Sequence, residues 1–179
     1  MPKITLLFLL LLCFLTKTFA QNNYTIYSET GGTGIVETIN FEKVIDKPSH
    51  SVDLRAFRFG IGISPKYYQV LDSTKQVRKD NGISYVLVVG YNLFGNWGLS
   101  GINPNHFEFG LNGVMITKNS FIEKVWEYKN KVRIFPSANI GFRHQPVDTK
   151  VIMWRVSYCP LYINSGLKHW IGASIGYSF

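Results

Sequence analysis

The final ten residues, Trp170-Ile171-Gly172-Ala173-Ser174-Ile175-Gly176-Tyr177-Ser178-Phe179, constrain the fold more tightly than any other stretch. Side chains on a β-strand point alternately to opposite faces. Ile171, Ala173, Ile175, Tyr177 and Phe179 therefore share one face, and Gly172, Ser174, Gly176 and Ser178 share the other. One face is apolar and ends in aromatics; the other is small and polar. A strand of a soluble sandwich can alternate in this way, but nothing in that architecture makes the pattern run to the last residue and stop on phenylalanine.

The same alternation recurs upstream. Segments about ten residues long, separated by stretches containing Gly, Pro, Asn, Asp and Lys, read as strands over 23–31, 35–45, 52–64, 83–94, 106–117, 132–144, 150–161 and 170–179. Eight strands in one domain leave about twenty residues per strand and connection, which suits spanning strands of ~9–11 residues. After residue 20 no stretch is apolar for the ~20 residues that a spanning helix needs. A chain of this kind enters a membrane only as a closed barrel, because closure alone satisfies every backbone group in lipid. The expected fold is all-β: a closed antiparallel eight-stranded up-and-down transmembrane β-barrel.

Residues 1–20 carry a basic start at Lys3, an apolar run from Ile4 to Leu15, and small residues at Thr18 and Ala20. This pattern predicts a cleaved signal peptide, with the barrel domain over 21–179. Cys13 follows Leu12, whereas a lipoprotein site wants a small residue there, and Cys159 is then the only cysteine left. The net charge of +8 falls to +6 once Lys3 and Lys17 are removed. In an exported chain this basic balance fits solvated loops or acidic headgroups, and no nucleic-acid partner is expected.

The faces of the strands agree with one another. Phe57, Phe59, Ile61 and Ile63 oppose Arg58, Gly60, Gly62 and Ser64; Phe107, Phe109 and Leu111 oppose Glu108, Gly110 and Asn112. Ala138, Ile140 and Phe142 oppose Ser137, Asn139, Gly141 and Arg143, while Ile152, Trp154, Val156 and Tyr158 oppose Met153, Arg155 and Ser157. An eight-stranded barrel has room only for a filled interior, which so many large aromatic faces would overfill. The aromatic face should therefore point outward into lipid. Phe57, Phe59, Tyr85, Tyr91, Phe107, Phe109, Phe142, Trp154 and Tyr158 are the expected lipid-facing or girdle aromatics. The fourth strand is less tidy, since Val86 and Val88 fall inward. Glu37 falls outward, close to a turn, where an outward charge costs only ~0–1 kcal/mol.

Connections should alternate between short turns on the side of the chain termini and longer external loops. Residues 65–82 and 118–131 are long and Lys-rich, each netting +2, and read as external loops. The connection over 95–105 is long for a turn, and the first and seventh external connections are short.

Several motifs carry a family resemblance: Gly31-Gly32-Thr33-Gly34 leading into Ile39-Asn40-Phe41-Glu42, Phe59-Gly60-Ile61-Gly62, and Tyr91-Asn92-Leu93-Phe94-Gly95. They continue with His106-Phe107-Glu108-Phe109-Gly110-Leu111, Ile140-Gly141-Phe142-Arg143-His144-Gln145-Pro146 and the terminal Ile175-Gly176-Tyr177-Ser178-Phe179. The chain resembles the small eight-stranded outer-membrane barrels of the OmpA and OmpX kind. It is more closely similar to the small barrels with signal peptides that are abundant in Bacteroidetes. The resemblance implies a monomer in the outer membrane of a Gram-negative bacterium, with membrane lipid and lipopolysaccharide as partners. It also implies that Ile171, Ala173, Ile175, Tyr177 and Phe179 form the C-terminal signal read by the barrel-assembly machinery. The inserted 98–102 and Thr149-Lys150 depart from the pattern.

Parity places Glu42, Arg58, Glu108, Arg143 and Arg155 inside the barrel, where unpaired charges are costly, so a lumen charge network of these five is expected. It reads as a plug of salt bridges, with a gated ion path as the competing role. Ser and His sets near a rim would mark a lipid-modifying enzyme; His50 with Ser51, His106 with Glu108, and His169 with Ser165 are the local candidates. None sits in a strained nucleophile turn, so no catalytic residue is assigned. The four histidines lack ligand spacing, and neither metal nor cofactor is expected. Gly31-Gly32-Thr33-Gly34 is a turn and not a phosphate cradle, because no helix follows it. The functional expectation is an integral outer-membrane barrel with a structural or surface-interaction role. The alternative is an exported soluble barrel that binds a small apolar ligand, as lipocalins do.

Overall fold

The computed structural model describes residues 24–45, 53–71, 77–96, 104–117, 132–145, 151–163 and 166–179. Ten strands make one sheet: β1 (Tyr24–Gly31), β2 (Glu37–Val44), β3 (Asp53–Leu71), β4 (Val77–Asn96), β5 (Asn105–Ile116), β6 (Arg133–His144), β7 (Val151–Tyr158), β8 (Leu161–Ile163), β9 (Gly166–Lys168) and β10 (Ile171–Ser178). Strands β1 to β7 and β10 form the wall, each antiparallel to its neighbours, and β1 pairs with both β2 and β10. The result is a closed antiparallel eight-stranded barrel. The β8–β9 hairpin prolongs β7 and β10 past interruptions at Cys159-Pro160 and His169-Trp170, and Leu161 pairs with Ser137 of β6.

The register explains why the alternation was readable. The central outward positions of β3 pair with apolar neighbours on both sides, Phe41↔Phe59↔Val89 and Ile39↔Ile61↔Leu87, so successive rows present one outward surface. Tyr24 and Phe179 complete the closure by exchanging backbone bonds of 3.1 and 2.8 Å. We call this the terminal end and the opposite one the turn end.

Two connections differ from expectation or add to it. Residues 65–82 are largely not a loop, because β3 and β4 stay paired from Pro65↔Ile83 to Leu71↔Val77. The sequence of that segment, rich in Lys, Asp, Gln and Arg, has no apolar alternation to reveal a strand, yet the backbone ladder continues. The expected signal peptide and the 118–131 loop lie outside the described residues. The β1–β2 connection folds inward: Gly31 and Gly32 take φ of 70° and 63°, where glycine has no steric penalty, and Thr33 is fully buried. Ile35 follows at φ 78°, a strained choice for a β-branched residue that costs ~1–3 kcal/mol. Its side chain is held in the apolar interior, and its carbonyl accepts from Trp170 Nε1 at 2.7 Å.

Each end of the interior holds an apolar cluster. Ile35, Val86, Val88, Val114, Ile116, Phe135 and Leu161 pack together at the turn end, with Val36 and Trp170 against them. Val44, Leu54, Ala56 and Phe94 pack at the terminal end. Val86 and Val88 thus face inward because they belong to the turn-end cluster.

Candidate functional site

Between the two apolar clusters lies a chain of charges. Each inward position follows from strand parity, which puts Glu29 on β1, Glu42 on β2, Arg58 on β3, Glu108 on β5, Arg143 on β6 and Arg155 on β7. All six are buried. Arg58 Nη2 pairs with Glu29 Oε2, and Arg155 Nη2 lies 2.6 Å from Glu29 Oε1. Arg155 Nη1 reaches Glu108 Oε1 at 2.8 Å. Arg143 Nε sits 2.8 Å from Glu108 Oε2, a charge contact outside hydrogen-bond geometry, and Arg143 Nη1 reaches Glu42 Oε1 at 2.6 Å. The order is Arg58, Glu29, Arg155, Glu108, Arg143, Glu42, with cation and anion in strict alternation and three of each.

The remaining two wall strands join through neutral groups. Asn92 of β4 donates to Glu42 Oε2 at 2.8 Å, and Arg155 Nε donates to Ser174 Oγ of β10 at 3.3 Å. Asparagines extend the satisfaction: Arg58 Nε donates to Asn40 Oδ1 at 2.9 Å, Asn139 donates to Glu108 Oε1 at 2.7 Å, and Asn112 donates to Asn139 Oδ1 at 2.7 Å. The inward turn contributes Thr33 Oγ1, which accepts from Arg58 Nη1 at 3.3 Å. Rings cover the guanidinium faces, with Arg155 4.8 Å and Arg58 5.6 Å from the Tyr27 centroid and Arg143 4.6 Å from Phe94. Desolvating a charge is expensive, and pairing with added hydrogen bonds is what offsets it. Glycines make room for this network: a Cβ on Gly110 would collide with the amides of Asn92 and Asn139.

The barrel brings together all five charges expected from sequence, and a sixth that sequence reading missed. The signal for Glu29 was present, since three arginines against two glutamates leave one positive charge unbalanced. Parity along β1 puts Glu29 on the side of Thr25 and Tyr27, both of which are buried. Among the described residues, the three buried carboxylates are each held by guanidinium, and an apolar cluster lies toward each end.

On the outside, Phe57, Phe59, Tyr85, Phe107, Phe109, Trp154 and Tyr158 are exposed, while Tyr91 and Phe142 are half-covered by Phe57 and Trp154 respectively. Ile171, Ala173, Ile175 and Tyr177 face outward from β10, and Phe179 stacks on Tyr24 and Tyr177. Of the enzyme candidates, His106 is buried with Nε2 3.0 Å from the Gln145 carbonyl oxygen, and His169 Nδ1 bonds the Tyr158 hydroxyl on the outer surface. His50, Ser51 and Ser165 lie outside the described residues. Cys159 is buried between Thr33 and Ser157. Among the described residues no group of three or more His, Cys, Asp or Glu is placed to hold a metal ion. Comparison with protein-family models, curated proteins and solved structures gives no match for the chain.

Proposed function

We propose that the chain is an integral outer-membrane β-barrel protein of a Gram-negative bacterium, exported with a cleaved signal peptide and serving a structural or surface-interaction role with a plugged lumen. The observation that carries this reading is the outward apolar surface. On β4, Ile83, Tyr85, Leu87, Val89, Tyr91 and Leu93 all point away from the interior. Ten residue steps along a strand cover roughly 33 Å, and at the usual tilt of about 40° they rise ~25 Å, the height of the apolar band on outer-membrane barrels. A water-exposed barrel would leave this band in solvent, where large apolar patches drive association. Its partners in this reading are membrane lipid, lipopolysaccharide and, during biogenesis, the barrel-assembly machinery; it acts as a monomer without a cofactor and is not an enzyme.

The plug follows from the alternating charge chain and the apolar layers beyond it. Purified protein should need detergent, run faster on gels unheated than boiled, and show no steady conductance in planar bilayers. Solubility without detergent would favour the lipocalin-like alternative. Large steady conductance would overturn the plug, and acyl release from phospholipid or lipid A would reverse the reading of the chain as a non-enzyme.

A further inference from the structure

At the turn end the wall is uneven. The turn between β1 and β2 folds into the interior, and the β2 ladder with β3 stops at Glu37↔Ile63. Beyond that point β3 runs on with β4 as its only paired strand among the described residues, from Pro65↔Ile83 to Leu71↔Val77. The steps from Ile63 to Leu71, at ~3.3 Å each, carry this edge roughly 26 Å past the last β2 pairing. Parity fixes which backbone groups it presents. The Arg55 carbonyl accepts from the Ile45 N–H at 2.8 Å, so odd positions of β3 turn their backbone groups toward β2 and even positions toward β4. Past Ile63 the odd positions are Pro65, Tyr67, Gln69 and Leu71, with no β2 residue opposite them. Pro65 has no N–H to offer and falls on this open side, where proline leaves the β3–β4 ladder intact. After it, Tyr67-Tyr68-Gln69-Val70-Leu71 is uncharged, free of Pro and Gly, and rich in strand-forming residues.

An unpaired edge of this length and composition is a template for another strand. We infer that the β3 edge over 65–71 receives, by strand addition, an extended net-acidic segment of a partner protein at the cell surface. Backbone hydrogen bonds supply the affinity in this mode of recognition, and the charge preference follows from the sequence over 65–82, which nets +2. A second copy of the chain fits the edge less well. Two copies related by a two-fold axis along the membrane normal would set their β3 edges parallel, which is the weaker ladder.

This inference rests on the membrane reading above for placing the turn end outside the cell, so the test separates the two. Protein in detergent micelles would be titrated with fluorescent ten-residue peptides of alternating valine and threonine carrying three glutamates, or three lysines in their place, and binding read by anisotropy. Wild type should bind the glutamate peptide about threefold more tightly than the lysine peptide, the scale of an exposed charge pair. N-methylation of four central residues of the glutamate peptide, which removes donors from both of its edges, should weaken binding about tenfold. Gln69→Pro removes one donor from the open side of β3 and none from the β3–β4 ladder. This variant should keep the heat-modifiable mobility of wild type and bind the glutamate peptide about fivefold more weakly. No binding of the glutamate peptide, equal binding of its N-methylated form or of the lysine peptide, a Gln69→Pro affinity equal to wild type, or a dimer that displaces the peptide would each overturn the site. Solubility without detergent would instead overturn the membrane reading and, with it, the cell-surface placement of the edge.

Discussion

Neutralising Glu29 tests the charge chain most directly. Glu29→Gln keeps the shape of the side chain but removes the carboxylate that holds both Arg58 and Arg155. Arg155 keeps Glu108, whereas Arg58 keeps only Asn40 and Thr33, two neutral partners. Removing one partner of a buried pair costs ~3–5 kcal/mol, because the other charge stays desolvated. Two second-site changes then separate pairing from net charge. Glu29→Gln with Arg58→Gln trims one end of the chain and leaves Arg155, Glu108, Arg143 and Glu42 paired. Glu29→Gln with Arg143→Gln gives the same total charge but isolates Arg58 at one end and Glu42 at the other. The first double variant should recover ~2–3 kcal/mol relative to the sum of its singles, and the second less than ~1 kcal/mol. Urea titration of the barrel in lipid vesicles, followed by tryptophan fluorescence and unheated gel mobility, measures both. Equal recovery in the two doubles would show that only total interior charge matters. A cost below ~1 kcal/mol for Glu29→Gln alone would show an interior wet enough to screen its charges.

Two further outcomes are expected. Gly110→Val should destabilise the barrel by ~1–3 kcal/mol, because the new side chain displaces the Asn92 and Asn139 amides, and the same titration measures the loss. Ile61→Arg, within the outward apolar band, should cost ~2–4 kcal/mol in vesicles while Ile83→Arg, at the band's turn-end margin, costs only ~0–1 kcal/mol; equal costs would contradict a depth-dependent surround.

The strands of the wall were legible because each places small, polar or charged side chains on the crowded interior and large apolar ones on the outer surface, which writes a period of two. Where the sequence does not alternate, the signal is absent. Residues 65–71 and 77–82 keep their ladder, but their sequence shows no alternating apolar face, and composition alone made them a loop. The breaks at Cys159-Pro160 and His169-Trp170 likewise hid the β8–β9 hairpin, since a three-residue strand shows no period. Among the interior charges, five followed from parity, whereas Glu29 sits on β1, where Thr25 and Tyr27 make the inward face look no different from the outward Ile26 and Ser28. Which guanidinium meets which carboxylate could not be read at all, because partners such as Arg155 and Glu29, separated by 126 positions, are set by barrel closure and strand stagger.

The inward position of Glu29 also bears on the order of assembly. Its two partners lie on β3 and β7, so it bridges strands on either side of the seam between β1 and β10. While that seam is open, Glu29 can reach Arg58 through β2, but Arg155 lies across the gap. A wall closed in another register would carry Arg155 away from Glu29 and leave it Glu108 alone, so the β1–β10 register and the Arg155–Glu29 contact specify one another.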